Sequence, residues 1–105
     1  MSGLTRLCAK SEVLIDRALA ISVKGYEPLA VCQVDGKFHV IANTCSHGHA
    51  LLSEGDVEDG QIICPLHGGA FDVCTGKATE APCTVPIAVY PVVEVGEELF
   101  VAARE

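Results

Sequence analysis

Short apolar runs separated by turn dipeptides set the pattern of this chain. Arg17 to Val23 alternates Leu19, Ile21 and Val23 with smaller or polar residues before Lys24-Gly25-Tyr26-Glu27-Pro28 breaks the run. A period of two followed by a breaker predicts a strand and a turn. Leu29 to Val34 and Lys37 to Ala42 flank Asp35-Gly36, a dipeptide that tolerates the positive φ angles of a two-residue hairpin. Asp59-Gly60 repeats the device between Val57-Glu58 and Gln61-Ile62-Ile63, and Thr75-Gly76 follows Phe71-Asp72-Val73. Ala88 to Val95 and Leu99 to Ala102 flank Gly96-Glu97-Glu98 as a closing hairpin. Lys10 to Ala20 can be written as a helix with Ser11 as N-cap and Val13, Leu14 and Ala18 on one face. A single helical turn at Ser11 to Leu14 is the preferred reading there. The regular recurrence of short β-branched runs and turns predicts an all-β protein.

Composition fits this and adds a second theme. Half of the 105 residues are hydrophobic, yet aromatics make up 5% and Trp is absent, so the core has to be built from Val, Ile, Leu and Ala, which leans toward strands. The length corresponds to one domain, residues 1–105, burying roughly 60 to 70% of its unfolded surface. Fourteen acidic against seven basic residues give a net charge of −7, which argues against nucleic acid or an anionic membrane surface as partner. No leader pattern opens the chain and no apolar run approaches the ~18 residues needed to span a bilayer. A cytoplasmic protein is expected. Thiols stay reduced in that compartment, so the six cysteines read as metal ligands plus buried free thiols rather than as three disulfides.

Between Thr44 and Pro86, Gly, Cys, His and Pro concentrate, as in loops built around something other than a large apolar core. Two motifs lie there, Cys45-Ser46-His47 and Cys64-Pro65-Leu66-His67. Thiolate and imidazole bind borderline and soft metals, and one Cys plus one His on each of two loops supplies four ligands. Zn²⁺ accepts Cys₂His₂, but the familiar finger groups its cysteines together and its histidines together, whereas here the two types are interleaved. An all-Cys [2Fe–2S] site uses spacings such as C-x₄-C-x₂-C, which Cys8, Cys32, Cys45, Cys64, Cys74 and Cys83 do not provide. The interleaved order suits a cluster with two Cys on one iron and two His on the other.

Cys45-Ser46-His47-Gly48 followed by Cys64-Pro65-Leu66-His67-Gly68-Gly69-Ala70-Phe71 resembles the two cluster-binding loops of Rieske proteins. Leu52-Ser53-Glu54-Gly55, Phe71-Asp72-Val73-Cys74-Thr75-Gly76-Lys77 and Ala81-Pro82-Cys83-Thr84-Val85-Pro86 are similar to the small Rieske ferredoxins of bacterial aromatic-ring-hydroxylating dioxygenase systems of the carbazole, biphenyl and naphthalene types. The likeness is specific from about Asp35 onward and generic before it. It implies a Rieske fold, an antiparallel β-sandwich or partly open barrel carrying an inserted cluster-binding subdomain at residues 44–73. It also implies one [2Fe–2S] cluster, with Cys45 and Cys64 on the inner iron and His47 and His67 on the outer. Ala50 and Leu66 stand where membrane-complex Rieske proteins carry a disulfide, and Gly69 and Phe71 where those proteins have a Ser and a Tyr that hydrogen-bond to sulfur. Fewer donors point to a potential near the low end of the Rieske range.

The remaining candidates have plainer readings. His49 is expected near a loop tip and His39 as an outward-facing strand residue. Cys74 and Cys83 are close enough in sequence to the second loop to lie near the cluster, but they, like Cys8 and Cys32, are read as small buried hydrophobes. Leu51, Pro65, Leu66 and Pro82 would shield the cluster and offer an apolar docking surface. Ala81-Pro82 resembles the family's covering proline loop. Glu54, Asp56, Glu58, Asp59 and Glu80 form either a steering field or a solvated face.

Neither G-x-G-x-x-G nor G-x-x-x-x-G-K-[ST] occurs, so the chain is not expected to collect electrons from NAD(P)H itself. After a cluster takes two of four histidines, His39 and His49 are too few for a separate oxygen-activating iron, and 105 residues leave no room for a catalytic domain. The expected role is a non-enzymatic one-electron carrier in aromatic hydrocarbon catabolism. It would dock transiently with a flavin-containing ferredoxin reductase and with a terminal dioxygenase. A small Rieske subunit of another oxidoreductase, resembling that of nitrite reductase, and a zinc-stabilised interaction module are the alternatives.

Overall fold

The structure, a computed structural model, describes residues 3–46, 50–66 and 68–102. Its strands are β1 (Leu4–Ala9), β2 (Leu19–Ile21), β3 (Leu29–Val34), β4 (Lys37–Ala42), β5 (Val57–Glu58), β6 (Gln61–Ile63), β7 (Ala70–Asp72), β8 (Ala78–Glu80), β9 (Val89–Tyr90), β10 (Val92–Val95) and β11 (Glu98–Ala102). They pair antiparallel in three sheets: a terminal sheet ordered β1-β11-β10, a middle sheet β2-β3-β4-β9 and a small sheet β5-β6-β7-β8. The all-β antiparallel architecture expected from the turn pattern is what forms.

The middle sheet is buried on both faces. Leu29 and Val31 of β3 and Val40 of β4 pack with Leu7, Cys8, Leu99 and Val101 from the terminal sheet. Ala30, Cys32 and Ile41 point the other way and pack with Leu52, Ile62, Phe71 and Val73. Successive residues of a strand face opposite sides, so a strand serving two cores must be apolar at consecutive positions. This accounts for the unbroken Leu29-Ala30-Val31-Cys32, all of it buried.

The hairpin turns follow their dipeptides. Asp35 and Gly36 have φ of 51° and 79°, and Asp59 and Gly60 have 51° and 78°, the paired left-handed geometry that matches strand twist in a two-residue loop. Gly76 has φ of 81°, and a Cβ there would lie 2.1 Å from the Ile87 carbonyl oxygen. Glycine is therefore required at this position both for its backbone and for the close approach of the segment leading to β9.

Two elements differ from expectation, and β1 was not foreseen. It has no clear alternation because a bulge between Arg6 and Cys8 turns both Leu7 and Cys8 inward, and its partner β11 lies at the far end of the chain. The single strand expected over Ala88 to Val95 is divided: β9 pairs with β4, and β10, beyond Pro91, pairs with β11. Proline has no N–H for a ladder, and the chain changes sheet there. The helical turn falls at Lys10–Glu12, with the Glu12 carboxylate accepting the Ala9 N–H at 2.8 Å.

The packing predicts an asymmetric response to small truncations. Ile41→Val, in the shared core, should lower the unfolding free energy by about 0.5–1.5 kcal/mol. Ile15→Ala, at a residue 76% exposed, should change it by no more than about 0.5 kcal/mol. Urea titrations read as midpoint shifts at constant slope check both.

Candidate metal centre

Two loops carry a cysteine at equivalent points of their necks. The first leaves β4 through Asn43 and Thr44, and Cys45 N–H donates to the Ala50 carbonyl at 2.9 Å. The second joins β6 to β7, and Cys64 N–H donates to the Gly69 carbonyl at 2.6 Å while Gly68 N–H returns to the Cys64 carbonyl at 3.0 Å. In each loop the cysteine amide is tied to the carbonyl five residues on, so each sulfur sits at the base of a closed loop. The first neck is sealed further by Asn43, buried at 2% exposure. Its Nδ2 donates to Ser53 Oγ at 3.0 Å and its Oδ1 accepts the Ser53 N–H at 2.7 Å. Leu52 N–H adds a bond to the Asn43 carbonyl at 2.7 Å.

Close backbone approaches lock the loops to each other and to the segment after β8. A Cβ on Gly55 would lie 1.8 Å from the Ile63 carbonyl oxygen, and one on Gly69 would lie 2.4 Å from Cys83 Sγ. Ser46 Oγ donates to the Val85 carbonyl, strapping the segment that follows the cis Ala81-Pro82 bond onto the first loop.

The result is a buried group of sulfurs. Cys45, Cys64 and Cys83 are 3%, 1% and 4% exposed, and Cys45 Sγ and Cys83 Sγ are 3.7 Å apart. Burial, then the adjoining Cys45 sulfur by hydrogen bond and charge, with Cys64 adding to both, push the Cys83 thiol up to about 12. Among the described residues of the two loops and of the segment after β8, Leu51, Leu66 and Val85 are exposed. A shallow groove lined by Ala50, Leu51, Glu54, Pro65 and Leu66 runs between the two loops. A separate groove, lined by Ile15, Gln33, Val34, Asp35, Val57, Asp59 and Gly60, has no sulfur or imidazole in its walls.

Cys45 and Cys64 are thus brought to one buried neighbourhood, while His47, His49 and His67 lie outside the described residues. Among the described residues no three His, Cys, Asp or Glu side chains form a metal-holding group. The thiols present suit a soft or borderline metal, and their burial, with glycine backbone at van der Waals range, suits a compact centre shielded from water.

The other sulfurs separate. Cys8 and Cys32 are buried in the two cores as expected, and burial pushes Cys32 up to about 12. Cys74 is a correction: it is exposed. Its N–H donates to Asp72 Oδ1 at 2.8 Å in the turn after β7, and such a side-chain-capped turn belongs at the surface. Its sulfur lies 3.6 Å from Nε2 of His39, which is half-buried rather than fully outward-facing. Burial pushes the His39 pKa down, against the charge of Asp72. Cys83 is buried as expected, and it lies by the loop sulfurs, the alternative that its closeness in sequence to the second loop and to Ala81-Pro82 had left open; that its partner there is Cys45 is decided by the fold alone.

A family profile described as Rieske [2Fe-2S] domain matches residues 3–91. The ferredoxin component of the naphthalene 1,2-dioxygenase system of Pseudomonas putida is 48% identical over 84 residues, covering 80% of each chain. The Sphingomonas yanoikuyae B1 ferredoxin superposes with a TM-score of 0.93 at 36% identity, over 97% of this chain and 100% of that one. The ferredoxin in a complex of reduced oxygenase and oxidized ferredoxin in carbazole 1,9a-dioxygenase superposes with a TM-score of 0.87 at 41% identity, over 94% and 92%.

The sealed neck predicts a specific weakness. Asn43→Ala removes the acceptor of the Ser53 N–H and should cost about 1–3 kcal/mol. Ser53→Ala, which leaves that amide paired, should cost less. Urea unfolding of the two variants in parallel distinguishes them.

Proposed function

Because this chain belongs to the Rieske [2Fe–2S] domain family, we propose that it is a one-electron carrier that passes electrons from an NAD(P)H-dependent flavin reductase to a terminal ring-hydroxylating dioxygenase. The observation that carries the reading is the pair of buried thiols, Cys45 and Cys64, at equivalent necks of two loops that also carry exposed apolar side chains. Its relatives are named as ferredoxin components of dioxygenase systems, which favours a carrier over both a nitrite-reductase-like subunit and a zinc-stabilised module. The cofactor is a Rieske-type [2Fe–2S] cluster.

In this reading Cys45 and Cys64 hold one iron as thiolates, and His47 and His67 hold the other as imidazoles, with residues 44–73 as the cluster-binding part of a single domain spanning 1–105. When bound, the cluster takes up and releases one electron at a time, at a potential raised by replacing two anionic ligands with neutral ones. The chain's own residues do the rest. Amide-tied necks fix the positions of the two sulfurs, so little rearrangement accompanies a change of charge. The glycine approaches at Gly55 and Gly69 and the strap to Val85 exclude water from the sulfurs. Leu51, Pro65, Leu66 and Val85 present an exposed apolar rim on which both partners would dock in turn, each burying under about 1,200 Å² as transient redox pairs do. The net charge of −7 would speed encounters with a basic face. A cytoplasmic location belongs to the same reading; among the described residues no helix is long and apolar enough to cross a membrane.

Purified protein should show visible bands that bleach with dithionite and an EPR signal when reduced; a colourless protein with stoichiometric zinc overturns the reading. Gly69 has no side chain and Phe71 no hydroxyl to offer sulfur, so a redox titration should give a midpoint near roughly −150 mV rather than a clearly positive one. Cys64→Ser should impair cluster assembly, and His67→Cys should keep some cluster at a lower potential. In a mixture with reductase and oxygenase, NADH consumption should depend on this protein; turnover unaffected by its omission counts against the role.

A further inference from the structure

The third sulfur of the buried group is not one of the four ligand positions, and nothing in the proposed reading uses it. Cys83 reaches the site from the segment after β8. It is 4% exposed, and its Sγ lies 3.7 Å from Cys45 Sγ, within hydrogen-bonding distance for sulfur. Gly69 fixes that placement from the other side, since a Cβ there would fall 2.4 Å from Cys83 Sγ and 3.1 Å from its Cβ. The Cys83 amide is also anchored, donating to the Glu80 carbonyl at 3.1 Å.

Geometry alone lets either thiol be the donor of this contact. Ligation removes the choice: a cysteine bound to iron is a thiolate, which accepts and cannot donate. Cys83, off the metal, keeps its hydrogen and is left as the donor. A hydrogen bond to a ligand sulfur draws negative charge away from the cluster and stabilises the reduced form more than the oxidised form, which raises the potential. An S–H is a weak donor, but it sits in a place that water does not reach.

We propose that Cys83 is a non-ligating tuning residue whose S–H donates to the Cys45 sulfur and holds the cluster at a higher midpoint potential than an apolar side chain would. The inference rests on the reading of Cys45 as a cluster ligand. Cys83 acts through that ligand, and its effect is on the driving force between reductase and oxygenase rather than on docking.

The test compares wild type, Cys83→Ala and Cys83→Ser, each purified with its cluster, by iron content, visible spectrum and dye-mediated redox titration. Cys83→Ala should keep a full cluster and be reduced about fivefold less favourably, the worth of roughly one hydrogen bond. That fold-change is roughly 40 mV at 59 mV per tenfold for one electron. Cys83→Ser, which supplies a hydroxyl in the same place, should return the midpoint to the wild-type value or above it. Cys83→Val repeats the apolar arm if the cavity left by alanine costs the fold. An apolar variant with full cluster and a wild-type midpoint overturns the proposal. So does loss of the cluster in both Cys83→Ala and Cys83→Ser, which would make Cys83 a ligand. A wild-type protein without visible bands overturns the cluster reading itself, and this assignment with it.

Discussion

The structure depends on burying the β3–β4 hairpin on both faces. A strand with one wet face alternates, and its hydrogen-bonded partners can shift while keeping one side covered. Here Leu29 and Val31 serve one core while Ala30 and Cys32 serve the other. A one-residue slip would exchange the two sets and place large side chains where small ones fit. The register Leu29↔Ala42 through Val34↔Lys37 is therefore held from both sides, and so is the point at which β4 ends. Asn43, Thr44 and Cys45 follow directly, so the first site sulfur is positioned by the most constrained part of the fold.

The second site sulfur is delivered by a smaller device. β6 and β7 are three residues each, too short to be stable alone. Their side chains Ile62 and Phe71 are pressed against the middle sheet's outer face in the same core as Ile41 and Cys45. One apolar cluster thus runs from the centre of the molecule to the sulfurs. The packing that stabilises the small sheet also removes water from the thiols. Burying polar or ionisable groups has a cost unless they are paired, and Cys45 and Cys83 meet that need in part by facing each other at 3.7 Å.

Charge and apolarity are arranged differently around this centre than inside it. Arg17 reaches across from just before β2, its Nη2 donating to the Glu54 carbonyl at 3.1 Å and its Nη1 lying 3.9 Å from Asp56. It pins the turn behind the loops, but both side chains of the ion pair are largely exposed, so the pair itself adds little stability. Glu54 lines the same groove as Leu51, Pro65 and Leu66, which places an acidic group at the border of the apolar rim. The transient docking proposed for this face would draw on both, apolar contact within the groove and charge at its border to orient the approach.

Much of this was legible in the residues themselves, where the physics is local. Asp35-Gly36 and Asp59-Gly60 specify their turns through backbone conformations that few other pairs tolerate. Cys45-Ser46-His47 and Cys64-Pro65-Leu66-His67 announce a metal centre because those side chains have few other reasons to recur together, and the likeness to Rieske proteins followed from them. Only the tertiary structure decided which contacts join distant segments: β1 against β11, the change of sheet at Pro91, Cys74 at the surface beside His39, and above all Cys83 against Cys45. Each depends on close packing between parts of the chain far apart in sequence. No periodicity or turn preference encodes such a contact, since the side chains that meet there are chosen by the shape of the core rather than by their neighbours along the backbone.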